Sequence, residues 1–118
     1  MANEAFRFKT SGKVENGTVV DRYFIYSKGV GESGYNRIAG TYSLGEWYTI
    51  AFTLTPDNGS PRANTVDIYI NGEKVISGTP LKKISPSIDK LIFQTGTKDL
   101  TTYWIDDFVI WSGDYTDR

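Results

Sequence analysis

Two adjacent carboxylates, Asp106 and Asp107, sit inside the run Tyr103-Trp104-Ile105-Asp106-Asp107-Phe108-Val109-Ile110-Trp111. The residues around them are aromatic and β-branched, a composition that predicts a half-buried strand. A buried charge is costly unless it is paired, hydrogen-bonded or bound to a metal. At least one of the two therefore requires a dedicated partner: a basic side chain, backbone N–H groups or a metal ion. A catalytic dyad is the poorer match. Glycoside hydrolysis places two carboxyls about 5–5.5 Å or about 6.5–9.5 Å apart across one bond. Neighbouring residues on a strand point to opposite faces, so Asp106 and Asp107 do not flank one substrate. The other acidic residues on predicted strands, Glu46 and Asp67, stand singly.

The chain has 118 residues, no Cys and no His. Thiolate nucleophiles, disulfides, histidine bases and ordinary zinc or copper sites are excluded. So is every Ser-His-Asp or Cys-His arrangement. The net charge is -1, with 23% charged residues. No basic stripe argues for nucleic acid, and no polybasic segment argues for an acidic membrane. No apolar run approaches the roughly 18 residues of a spanning helix, so membrane insertion is not expected. The opening residues carry no apolar leader core, so an exported parent would contain this chain as a segment.

Aromatic residues make up 14% of the chain, with 8 Tyr and 3 Trp. Most such rings build cores and their margins, but exposed Tyr and Trp also stack on pyranose rings. Tyr69 falls on the polar side of an alternating strand, opposite Val66, Ile68 and Ile70. With Trp104, Tyr103, Tyr23 and Tyr35 it is a candidate for an open stacking surface. Arg22, Arg37 and Asn36 would supply hydrogen bonds to hydroxyls or to a uronate. The competing reading of each is a solvated sheet face.

These residues need strands to position them, and the chain reads as strands throughout. No segment has an apolar period of 3.6, and turn signals recur about every 8–12 residues, as in an all-β sandwich or barrel. Residues 5–9 alternate, with Phe6 and Phe8 on one face. Strands are predicted over 18–26, 37–42, 46–55, 65–70, 74–76, 88–94 and the final aromatic run. In 46–55 the face bearing Thr49, Ala51 and Thr53 is expected to meet solvent or a shallow groove. Asn71-Gly72 predicts a two-residue type I′ turn. The glycines of 27–36 lack the Lys-Ser/Thr ending of a phosphate loop, and 56–64 is a long polar loop. A single domain, 1–118, folded as an antiparallel two-sheet β-sandwich solves the burial problem of this pattern.

Three segments carry a family resemblance: Gly45-Glu46-Trp47-Tyr48; Val66, Ile68 and Ile70 followed by Asn71-Gly72; and Ile105, Asp106, Asp107, Phe108, Ile110 and Trp111. In this order they resemble the concanavalin A-like jelly roll, and more closely its laminin G-like branch of bacterial extracellular and carbohydrate-active proteins. The likeness covers residues 45–112. Members are usually longer, so the resemblance implies a compact or truncated jelly roll. A missing strand would expose an edge, and exposed edges pair with other chains, so such an edge would favour a homodimer.

The resemblance further implies that Trp47 and Trp111 are packing residues. It also implies that Asp106 or Asp107 can ligate a structural Ca2+; Glu4, Asn3 or loop carbonyls would then complete the roughly 6–8 oxygens that calcium takes, while hydrogen bonding to backbone N–H groups or pairing with Arg or Lys is the preferred alternative. The glucanases of this superfamily carry Glu-x-Asp-x-x-Glu or Glu-x-Asp-x-Glu on one strand, and neither occurs here. Its lyases draw on His, which this chain lacks. The reading that results is a non-catalytic carbohydrate-binding or substrate-positioning module of a larger extracellular or cell-surface protein. A protein-interaction module without sugar binding is the alternative, and a small glucanase or lyase ranks last.

Overall fold

The computed structural model describes residues 4–84, 105–106 and 108–110. The chain falls into two compact units, Met1–Ile88 and Asp89–Arg118. The described residues contain strands and no helix. Six strands lie in the first unit: β1 (Phe8–Glu15), β2 (Thr18–Ser27), β3 (Tyr35–Arg37), β4 (Ile50–Thr55), β5 (Thr65–Ile70) and β6 (Glu73–Pro80). They form two antiparallel three-stranded sheets, β1-β2-β3 and β4-β5-β6. Neighbours in each sheet are neighbours in sequence, and no crossover appears among the described residues.

Turn chemistry sets the registers. Asn71 and Gly72 both have positive φ, 51° and 83°, and the ladder runs directly from Ile70↔Glu73. That is the two-residue turn expected from the sequence. Asn16-Gly17 repeats it, with φ of 51° and 76° and Glu15 opposite Thr18. This second turn carries β1 on to Glu15, six residues beyond the predicted alternation. In Asn58-Gly59 only the glycine has positive φ. The Asn58 side chain instead accepts the Ser60 N–H at 3.1 Å, which leaves residues 56–64 as a loop.

Two other strands start or stop differently from the sequence expectation. Residues 37–42 were expected as a strand, yet β3 ends at Arg37. Beyond it Gly40 at φ 92° turns the backbone, although Ile38 and Tyr42 still donate to the β2 carbonyls of Phe24 and Arg22. Residues 46–49 precede β4, because Thr49 donates to Asn71 Oδ1 and accepts from the Asn71 N–H, closing the hairpin mouth at the turn residue.

Residue pairing is not one-to-one everywhere. Strand β6 has eight residues against the six of β5, and the register slips once between Val66 and Ile68 and again between Ile68 and Tyr69. Each slip is a β-bulge, and Gly78 at φ 64° occupies the first. A third slip lies opposite Gly12, where Asp21 on β2 has φ 53°.

The core gathers residues of both sheets. Tyr26 and Ile38 join Val66, Ile68 and Leu81, with Phe6, Phe8, Phe24, Phe52 and Leu54 packed against them. Phe52 receives Phe6 and Phe8 edge-on at centroid distances of 5.3 and 5.2 Å, while Phe24 stacks between Phe8 and Tyr42. Such aromatic pairs are each worth about 0.5–1.5 kcal/mol beyond the area they bury.

In the second unit, Ile105, Asp106 and Phe108–Ile110 carry no regular secondary structure and are exposed. The expected half-buried strand is not formed at these residues, since no alternate side chain among them is withdrawn from water. The predicted strand 88–94 lies outside the described residues.

Candidate functional site

Antiparallel pairing decides which side chains of β1, β2 and β3 share a face. Phe8 lies opposite Tyr26, which lies opposite Asn36, and this row faces the core. The alternate row is Lys9, Ile25 and Arg37. Ser11 and Tyr23 flank it on one side, Ser27 and Tyr35 on the other. The outer face of this sheet therefore brings together Tyr23, Tyr35 and Arg37, three of the residues named from the sequence, and adds Lys9.

The contacts on that face are specific. The Arg37 guanidinium carbon lies 4.0 Å from the centroid of the Tyr23 ring, and Lys9 Nζ lies 4.4 Å from that of Tyr35. Both are within cation–π range. Both cations are exposed and both rings are half-buried. Arg7 completes the face at one end by donating to the Tyr35 hydroxyl at 3.1 Å. That contact first, and Glu4 second, hold the Arg7 guanidinium above its ordinary pKa against the opposing effect of burial.

Glu4 anchors this end. Its Oε2 accepts from Arg7 Nη2 at 2.8 Å and its Oε1 from Lys82 Nζ at 2.9 Å. Burial pushes the carboxyl up, but the hydrogen bonds and charges of Lys82 and Arg7 together outweigh it and hold the pKa below 4.5. With both oxygens engaged, Glu4 is a poor candidate for the calcium ligand expected of it. Among the described residues no three Asp or Glu gather as a cation site. Asp106 is exposed, and Asp107 lies outside the described residues, as do Asn3, Tyr103, Trp104 and Trp111.

Tyr69 is a correction. It is 2% exposed, not part of an open surface. Its strand is the middle one of β4-β5-β6, and both faces of that strand are covered. Ala51, itself buried, lies opposite Tyr69 on β4, and Lys74 lies opposite on β6 with Nζ 5.6 Å from the ring. The small Ala51 leaves room for the large ring, so the side expected to meet solvent is filled at Ala51, while Thr49 stays exposed.

Beside Tyr69, Asp67 is fully buried. Arg62 Nη2 donates to its Oδ2, Lys74 Nζ stands 3.6 Å away, and the Gly78 N–H donates to Oδ1 at 2.7 Å. The carboxylate thus fixes the first bulge of β6. Lys74 is held above its ordinary pKa, first by its hydrogen bond with Tyr69 and then by the charge of Asp67.

Two further expectations shift. Arg22 donates to the carbonyls of Tyr42 and Val19, both at 3.1 Å, and so braces the β2 bulge. Trp47 was expected to pack, yet it is 68% exposed. Its neighbour Tyr48 turns inward, meets Phe24 edge-on at 5.6 Å and lines an open cleft of about 220 Å³ with Phe24, Ile38, Ile70 and Val75. Glu73 is the one carboxylate of the cleft lining.

Lys9 escaped the sequence reading although its signal was present. Phe6 and Phe8 define the inner face of β1, so Arg7 and Lys9 must define the outer one. Its pairing with Tyr35 follows only from the register.

No protein-family model matches this chain, and neither does any curated protein or solved structure.

Proposed function

We propose that the chain is a non-catalytic carbohydrate-binding module of an exported protein, working through the outer face of β1-β2-β3. The observation that carries this reading is that Lys9, Tyr23, Tyr35 and Arg37 share one sheet face, two half-buried rings each beside an exposed cation. Sugar C–H groups pack on the tyrosines, while the Arg37 and Lys9 N–H donors orient hydroxyls. The resemblance to laminin G-like jelly rolls supports the same reading. So does the packing of Phe8 on Phe52 and of Phe24 on Tyr48, which fits the two sheets as halves of a β-sandwich. A jelly roll would need further strands from beyond residue 84. The absence of His and Cys and of the paired acidic motifs supports a module without catalysis.

A broad glycan screen tests the proposal. Binding is expected, and Tyr23→Ala and Tyr35→Ala should each weaken it several-fold with the circular dichroism unchanged. A screen in which no glycan binds the folded domain removes the reading. The exposed Ile105, Phe108, Val109 and Ile110 favour the second reading, a module that binds protein.

A further inference from the structure

We infer that this face reads acidic polysaccharide, with uronate carboxylates paired to Lys9 and Arg37; the inference rests on the carbohydrate-binding reading above. Among the described residues neither cation has a carboxylate partner or an acceptor for its donors. Their contacts are the tyrosine rings alone. The contrast with the other basic groups nearby is direct: Arg7 and Lys82 share Glu4, Arg62 and Lys74 share Asp67, and Arg22 spends its donors on carbonyls. A chain of net charge -1 carries at least as many acids as bases, yet among the described residues Lys9 and Arg37 are left without one.

The rings explain how unpaired cations serve recognition. A guanidinium held on a tyrosine face by its π-system still has N–H groups free to take a carboxylate with two parallel hydrogen bonds. Orientation by Tyr23 removes part of the rotamer entropy that Arg37 would otherwise lose on binding. Lys9 acts as a point charge, steadied by Tyr35. Lys9 and Arg37 occupy one cross-strand row with Ile25 between them. Their backbones are thus about 10 Å apart, two strand spacings, which suits acidic groups on neighbouring or alternate sugars. A neutral glycan gains hydroxyl contacts here but leaves both charges uncompensated.

Isothermal titration with an oligouronate, its neutral reduced counterpart of equal length, and a single-stranded oligonucleotide tests this. The oligouronate should bind at least ten-fold tighter than the neutral sugar at low salt. That margin should shrink several-fold between 50 and 500 mM salt, as exposed charges are screened over about 10 Å or less. Lys9→Gln and Arg37→Gln, which keep donors and remove charge, should abolish the margin, lowering oligouronate affinity by a larger factor than neutral-sugar affinity, with the circular dichroism unchanged. Equal affinity for the two sugars overturns the inference and leaves the carbohydrate reading standing. An oligonucleotide that binds as tightly as the oligouronate also overturns it, because the face would then read charge alone. Failure of both sugars to bind overturns the inference, and the broad glycan screen then decides the carbohydrate reading.

Discussion

Two places in this molecule set tyrosine beside a basic side chain, and they have opposite fates. On the outer face of β1-β2-β3, Tyr23 and Tyr35 stay half-buried, and Arg37 and Lys9 stay in water. On β5, Tyr69 is buried beside Lys74 and the carboxylate of Asp67 draws in both Lys74 and Arg62. The presence of an acid separates the two. With Asp67 to hold them, basic groups become the lid of a buried cluster. Without one, they remain available to an outside anion. A ring and a cation in register are therefore no guide to function until the third partner is known.

The largest test of that contrast is ring deletion. Tyr69→Ala should cost about 3 kcal/mol or more, the range of large core truncations, whereas Tyr23→Ala should cost under about 1 kcal/mol. Denaturant unfolding of the two variants measures both, and equal losses would erase the distinction. Smaller is the effect of removing one cation from each place. Arg62→Ala leaves a buried carboxylate with Lys74 and Gly78 alone and should cost about 2 kcal/mol. Arg37→Ala should stay within about 0.5 kcal/mol while weakening glycan binding. A stability loss at Arg37 as large as that at Arg62 would make the outer face structural.

The smallest effect concerns the acid at the end of the outer face. Glu4 has its folded pKa below 4.5, so its contribution to stability is present above the unfolded value and lost as pH falls through the folded one. The melting temperature of the wild type should exceed that of Glu4→Gln from neutral pH down to about 4.5, and the two curves should converge on further acidification. Parallel curves across that window would mean that Arg7 and Lys82 do not depend on the Glu4 charge.

How far these places were legible in the sequence depended on the range of the interactions. Asn71-Gly72 and the alternation of Val66, Ile68 and Ile70 are local, and β5 was readable to its ends. The identical dipeptide Asn16-Gly17 went unread because Gly12 and Ser11 interrupt the apolar pattern before it, though the backbone pairs across them. Tyr23, Tyr35 and Arg37 were recognised singly as sugar-binding candidates. That they share a face with Lys9 follows from register, which no single segment encodes. Tyr69 misled because polar-side position predicts solvent only for a strand covered on one face. What covers it depends on the small side chain at Ala51 and on Asp67 recruiting Arg62 from five residues away. Trp47 matched a packing motif, but Thr49 pairs with the turn residue Asn71 and the chain before β4 leaves the ladder.

The sequential order of strands in each sheet has a kinetic meaning. Among the described residues of the first unit every ladder joins segments that are adjacent along the chain, and two of the four are closed by turns of two residues. Hairpins of this kind form in about 1–10 μs, and the entropy lost in closing such short loops is small. Each sheet can thus assemble without waiting for the other. The contacts of Phe8 with Phe52 and of Phe24 with Tyr48 join the two sheets across the connection of residues 38–49; they close longer loops, so they are expected to form after the hairpins.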